Sequence, residues 1–418
     1  VERSPYVEDW HELMKLFLVR RTRSFIKQYF AKEDHENRRR YLEFPDKTRS
    51  YFPERKPCSV KFKIEEGDQY SRLYSKDMIA FMEELKLPRY GLSKFVSEDK
   101  IQEAPRHEQQ MIENLSRAGQ RMMGFCKSTF FKRIDSSGFS FLLTLYRHIL
   151  RNCVFVYAID NKLPLPIGDE NALPEDYSED EDPSSGFFGS ETVDTAIDAT
   201  LHIPTEMEYY MKKAAEYYNI ITNKNNVAWL PSSYFKRSLK QQLKKDCDVL
   251  IEMIRLCGDW KQETDQKLNE LQQLILSKHQ NDKLIIFTQY SDTARYIYNQ
   301  LKKRGVTAID VATGASDSPT ASAEKFSPVS NDIHDMPLSE QTRVLIATDV
   351  LSEGQNLQDA HVIVNFDLPW AIIRLIQRAG RVDRIGQIAD EIYCYSFFPA
   401  DGVEKIINLR GRLNDRIN

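Results

Sequence analysis

Two rhythms of apolar positions divide the 418-residue chain. From Lys283 onward, short unbroken apolar runs alternate with helically spaced ones. Leu284 to Thr288 reads as a strand, Asp292 to Lys303 as its helix, and Val306 to Val311 as a second strand leading to Gly314. Gly314 to His334 is small and polar, a loop with a short helix over Ala321 to Phe326. Val344 to Ala347 predicts a buried strand stopping at Thr348 and Asp349, and Val362 to Phe366 another, closed by Asp367 and Pro369. From Ala371 the spacing becomes helical, with Ile372, Ile373, Leu375 and Ile376 apolar, and the helix is expected to carry Gln377, Arg378, Arg381 and Arg384. Arg381 and Arg384 are three apart, so on a continuing helix they share a face and converge on one polyanion. Glu391 to Phe398 is expected to close the sheet, and Gly402 to Leu413 to form a terminal helix capped by Asp401. In an open α/β sheet ligands sit beyond the carboxyl ends of the strands, which is where Asp349, Ser352, Glu353, Gly354 and Asn356 fall.

The earlier part of the chain is mostly helical in character. His11 to Phe30 carries Leu13, Leu16, Phe17, Phe25 and Ile26, interrupted by Arg20, Arg21 and Arg23. Lys56 to Glu65 alternates at Val60, Phe62 and Ile64 and predicts a strand without a sheet to join, and the following stretch to Leu85 predicts a helix. Arg106 to Leu150, Glu206 to Tyr218 and Tyr234 to Lys278 are helical; Leu163 to Ser190 is rich in proline, glycine and acids and predicts a loop that adds nothing to a core. The expected organisation is a leading segment over 1–100, a helical region over 101–260 with the acidic loop at 163–190, and an α/β lobe over 264–418.

Composition changes this picture little. The net charge of -4 gives no support for nucleic-acid binding by itself, but it averages an Arg- and Lys-rich beginning with an Asp169 to Asp182 run that holds eight acids, so a local basic groove is compatible with it. The six cysteines show no CxxC spacing and read as reduced thiols of a cytoplasmic protein, and neither they nor the eight histidines imply a metal site. No run reaches membrane-spanning length, and no signal peptide is present. Val1 is not an initiator methionine, and the chain reads as a piece of a longer protein.

Three segments together carry a resemblance. KLIIFTQYSDTARYIYNQL (Lys283 to Leu301), ATDVLSEGQNLQDAHVIVNFDLPW and QRAGRVDRIGQ resemble, in order, the fourth, fifth and sixth motifs of superfamily-2 helicases. The RIGQ tail resembles the SWI/SNF-type branch of double-stranded DNA translocases, including its bacterial RNA-polymerase-recycling relatives. LVRRTRSFI near the start is similar to the segment joining the two motor lobes, and Asp259 to Ile275 to the helix that opens the second lobe, with Asp265 and Lys267 at its matching places. The resemblance implies a RecA-like parallel sheet of the P-loop NTPase type with a large helical insertion. It implies ATP and Mg2+ as cofactors, bound mainly by a first lobe, and DNA held by its backbone regardless of sequence. By the same resemblance Arg381, Arg384 and Gln377 serve catalysis. Asp349, Glu353, Gly354 and Arg20 face the nucleotide cleft. Thr288, Gln289, Ser352, Asn356 and Arg378, with Tyr290, lie toward nucleic acid, and Asp383 orients one of the two arginines. Lys127, Lys132 and Arg133 in the helical insertion are candidates to clamp a duplex.

Phosphoryl transfer from ATP needs a loop that cradles phosphates, a magnesium ligand with a group that positions water, and cations that neutralise developing charge. The sequence contains no GxxxxGK(S/T) segment and no D-E-x-H box, so only the third supply is present. Two other functions remain open at this point. The helical insertion with its acidic loop can serve as a module for a protein partner such as RNA polymerase, or the lobe can belong to an RNA helicase.

Overall fold

The computed structural model describes residues 23–35, 38–64, 67–169, 201–224, 227–314, 316, 318–351, 355–369 and 371–398. The acidic run, Arg20, Arg21 and the expected terminal helix lie outside these residues.

The chain enters through helix α1 (Arg23–Tyr29) and an antiparallel meander of β1 (Lys32–Glu33), β2 (Arg40–Glu43) and β3 (Arg49–Tyr51). Strand β4 (Glu54–Val60) follows, and then helices α2 (Gln69–Leu73), α3 (Lys76–Glu84) and α4 (Glu98–Gln102). The stretch from 66 to 85 is thus two helices rather than one; the Asp68 and Ser75 side chains cap their N-termini by accepting from the Ser71 and Met78 N–H groups.

A helical hairpin of α5 (Arg106–Ser136) and α6 (Gly138–Asp160) comes next, then β5 (Leu165–Asp169), α7 (Met207–Thr222), β6 (Val227–Leu230) and α8 (Arg237–Cys257). Helix α6 is apolar around nearly its whole circumference and is the buried axis of this region, as an all-round apolar helix must be. Gly138 opens it because a Cβ there would run into the Trp260 ring.

After α9 (Gln266–Gln273) the α/β pattern begins: β7 (Leu284–Phe287), α10 (Ser291–Lys303), β8 (Ile309–Ala312), α11 (Pro319–Phe326), β9 (Val344–Ala347), β10 (Val362–Asn365), α12 (Ile372–Val382) and β11 (Glu391–Phe397). The sheet is six-stranded and parallel in the order β4-β11-β10-β7-β9-β8. β7, β9 and β10 are buried at every position, which requires cover on both faces and explains why they read as unbroken apolar runs. Alternation assigns the faces. Leu284, Ile286, Val344, Ile346, Val362 and Val364 share a core with the helical region, whereas Ile285, Phe287, Leu345, Ala347 and Ile363 pack with Ala323, Phe326 and Val382. One hydrophobic core therefore runs from the sheet into α6, α7 and α8.

One expectation needs correcting here. The strand near Lys56 does have a sheet to join: β4 pairs in parallel with β11 along seven register positions, from Glu54↔Glu391 to Val60↔Phe397. β4, not β11, is the edge.

Candidate functional site

At the carboxyl end of β9, Asp349 accepts from Arg378 Nε at 2.7 Å and from Arg374 at 3.4 Å. Arg378 is 0% exposed, reaches Asn365 Oδ1 at 3.3 Å, and its guanidinium lies 5.3 Å from the centre of the Phe287 ring. Expected on nucleic acid, Arg378 is instead an internal tie between α12 and the ends of β9 and β10. The Asp349 carboxylate, expected in the nucleotide cleft, is its counter-charge.

The end of β7 is also enclosed. Thr288 is fully buried and its hydroxyl donates to Asp367, while the Gln289 N–H donates to the other oxygen of that carboxylate at 2.8 Å. Ser136, at the tip of the α5–α6 hairpin, donates to Asp367 at 2.5 Å and lies 2.8 Å from the Thr293 hydroxyl. Tyr290 is buried beneath the Arg133 guanidinium, 4.0 Å from its ring centre. Thr288 and Tyr290, expected to face a nucleic-acid backbone, are therefore covered by the hairpin. Gln289 is half-buried and donates through its side chain to the Leu368 carbonyl at 2.9 Å.

Asp265 and Lys267 act in the same junction. Asp265 caps α9 through the Leu268 N–H and accepts from the Tyr70 and Tyr296 hydroxyls at 3.0 and 2.8 Å; burial pushes its carboxyl up, opposed by those hydrogen bonds. Lys267 donates to the Ser136 carbonyl at 2.9 Å and lies 4.2 Å from the Phe366 ring centre. Burial lowers its pKa, and the Asp367, Asp135 and Asp265 carboxylates hold it up. Lys132 and Arg133, expected to clamp a duplex, are buried, and Arg133 pairs with Asp292 at 2.7 Å beside Arg147 at 2.6 Å. The Lys127 side chain lies outside the described residues.

The end of α12 is the part open to solvent. The helix stops at Val382, so Arg384 stands in the following turn and not on the helix face of Arg381. Two features turn the chain there: Asp383 is drawn to Arg55 of β4, whose Nε donates to it at 2.5 Å, and Gly386 takes φ +98. Gln387 then fastens the turn, its side-chain amide lying 2.9–3.0 Å from the Gln358, Ala360 and Val382 carbonyls. This is the physical work of the RIGQ tail. Asp383, expected to orient Arg381 or Arg384, accepts from an arginine of β4.

Arg384 donates to the Asn356 side-chain oxygen, and Asn356 is fixed in turn by donating to the Ser330 carbonyl at 3.2 Å. Arg381 is half-buried in the last helical turn, where its carbonyl accepts from the Leu357 N–H at 3.3 Å, and Gln377 is half-buried one turn earlier. Arg384, Asn356 and Asp383 line an open cavity of about 410 Å³ with Ile26, Phe52 and Ile385. A guanidinium on the wall of an open cavity suits a phosphate group, which accepts paired N–H donors in a plane. Among the described residues no group of three or more His, Cys, Asp or Glu side chains is placed to hold a metal ion. Ser352, Glu353, Gly354 and Arg20 lie outside the described residues. Arg55, Arg374 and Asp367 were not foreseen as site residues; Arg55 sits next to the predicted strand, but its partner is 328 positions away.

Part of the chain is similar to known proteins. Residues 266–386 match the family described as helicase conserved C-terminal domain. An uncharacterized ATP-dependent helicase, YqhH, of Bacillus subtilis (strain 168) is 31% identical over 172 residues, 41% of this chain and 29% of that protein. The ATP-dependent RNA helicase DBP8 of Saccharomyces cerevisiae (strain YJM789) is 30% identical over 146 residues, 35% of this chain and 31% of that protein. The matched stretch spans less than a third of the length of either relative. Among solved structures, the C-terminal part of the Fun30 ATPase domain aligns with TM-score 0.38 and 13% identity over 86% of this chain and 90% of that one. Residues 266–386 are thus similar to a helicase C-terminal domain, and they supply four strands of the six-stranded parallel sheet of a RecA-like α/β lobe. Among the described residues no helix is long and apolar enough to cross a membrane.

Proposed function

We propose that this chain is the second motor lobe of an ATP-dependent, SWI/SNF-type translocase on double-stranded DNA. In this reading Arg381 and Arg384 meet the phosphates of an ATP that is cradled, with its magnesium, by a first lobe lying outside this sequence. The observation that carries the reading is Arg384 at the mouth of an open cavity, held by Asn356 and next to an Asp383 already neutralised by Arg55. Cations that neutralise charge as the terminal phosphoryl group leaves raise turnover by on the order of 10³ to 10⁵ in nucleotide hydrolases that use them. Gln377 accompanies them, and Asp349 acts through Arg378 by fixing the helix that presents them. Ser352, Glu353, Gly354 and Arg20 keep their proposed places around the nucleotide and nucleic acid.

DNA is favoured by the RIGQ tail, whose Gln387 stitches the arginine turn in place. Similarity to an RNA helicase supports a second reading with RNA as the polymer. The test is nucleotide turnover by the lobe joined to its first lobe, with duplex DNA, duplex RNA or neither added. Stimulation by DNA alone supports the first reading, stimulation by RNA alone the second, and turnover indifferent to both overturns the motor.

A further inference from the structure

We infer that Arg55 is a positioning residue: it clasps Asp383 and thereby sets where Arg384 stands, coupling the leading segment of the chain to the catalytic turn. The inference rests on the reading of Arg384 given above. Asp383 lies between the two arginines in sequence, its side chain is 0% exposed, and a cation from β4 pairs with it. Arg55 is rigidly based, because β4 is laddered to β11 with Arg55 opposite Ile392. Its Nε donates to Asp383 Oδ2 at 2.5 Å.

The clasp does not act alone. The Ser50 hydroxyl accepts from the Gly386 N–H at 3.1 Å, the Glu54 N–H donates to the Asp390 carbonyl at 2.9 Å, and Arg39 pairs with the Asp390 carboxylate. Residues 39–55 therefore hold the chain on both sides of Arg384. The same segment supplies Phe52, and α1 supplies Ile26, to the wall of the cavity that Arg384 lines. A buried carboxylate that loses its cation is costly, so the turn has to move or take in water when Arg55 is removed. Movement of a guanidinium by a fraction of its hydrogen-bonding distance is enough to lose stabilisation that exists only in the transition state. Displacing the leading segment would then withdraw Arg384 without touching either arginine.

The experiment compares Arg55→Met, Arg55→Lys, Asp383→Asn, the Arg55→Met/Asp383→Asn pair and Lys56→Ala, whose side chain points to the opposite face of β4. The first readout is amide hydrogen exchange in the full chain. Exchange at Arg384 to Gln387 should speed up by about tenfold or more in Arg55→Met and in Asp383→Asn, no further in the pair, and not in Lys56→Ala, while β7 and β9 stay protected. The second is steady-state turnover with the first lobe and nucleic acid present: Arg55→Met should lower kcat by about tenfold or more with KM for ATP unchanged, and Arg55→Lys should recover part of it. Unchanged exchange at the turn overturns the clasp, and so does faster exchange with an unchanged kcat. Faster exchange in a protein whose wild type shows no turnover supports the clasp and sinks the functional reading instead.

Discussion

Arg378 and Asp349 form an ion pair at 2.7 Å in which the cation is wholly buried and the carboxylate mostly covered. The pair joins the middle of α12 to the turn after β9, so the helix that ends in Arg381 is fixed from its buried side. Removing Asp349 strands a buried guanidinium. Asp349→Ala is expected to lower the unfolding free energy by about 3 kcal/mol, within the cost of breaking a buried pair. Asp349→Asn, which keeps an acceptor, should cost less. Denaturant titration of both variants measures the difference.

A buried acid surrounded by arginines makes a prediction about pH. Burial alone would raise the Asp292 pKa, but Arg147, Arg133 and Arg295 outweigh it and hold the carboxyl far below its ordinary value. A depressed folded-state pKa contributes stability that is fully present above the unfolded value of about 3.9 and is lost as pH falls toward the folded one. Between pH 5 and 8, to order of magnitude, the contribution is flat. The wild type should therefore lose stability on acidification below about pH 4 more steeply than Asp292→Asn, which starts lower. Parallel curves in thermal unfolding across pH would contradict this.

Gly386 takes φ +98, and a Cβ there would meet only Gln358 Nε2 at 3.9 Å. Strain, not crowding, is the obstacle to substitution. Gly386→Ala should cost about 1 kcal/mol or somewhat more through the backbone alone. If the turn presents Arg384, the same change should lower turnover beyond its effect on the melting temperature.

With Thr288, Tyr290 and Arg378 enclosed, fewer of the expected groups are available, among the described residues, to grip a backbone. The chain alone should bind duplex DNA weakly, with a slope of log affinity against log salt of about -1.8 to -3.6, the value for roughly two to four phosphates at about -0.9 each. Mixed-sequence and homopolymeric duplexes should bind alike, because backbone contacts read no bases. Titration of a labelled duplex at several salt concentrations checks both; tight or sequence-selective binding would move the nucleic-acid site to the helical region.

The parts of the fold that were legible are those with local causes. β7, β9 and β10 each declare themselves as apolar runs ended by Thr288, Thr348 or Asp367, because a strand buried on both faces cannot afford polar residues. The place of β4 was not legible, since alternation in a strand says nothing about its neighbour, and its neighbour is β11 at the far end of the chain. The end of α12 was missed for the same reason: Arg381 and Arg384 keep helical spacing, but the helix ends at Val382, and the next residue, Asp383, pairs with Arg55 from the far end of the chain. Thr288 was placed toward nucleic acid by the resemblance alone; its burial depends on Asp367 and Ser136, which the sequence does not set beside it.

The role of the two arginines is tested most directly by turnover, ATP affinity and nucleic-acid affinity of Arg381→Ala, Arg384→Ala and the double variant in a motor complete with its first lobe. Each single variant should lower turnover by on the order of 10³ with both affinities nearly unchanged, since the arginines act on charge that develops only in the transition state. The double variant should fall by less than the product of the two, because both groups act on one phosphoryl group. A loss of nucleic-acid affinity in proportion to the loss of turnover would contradict the account and place these arginines on the polymer.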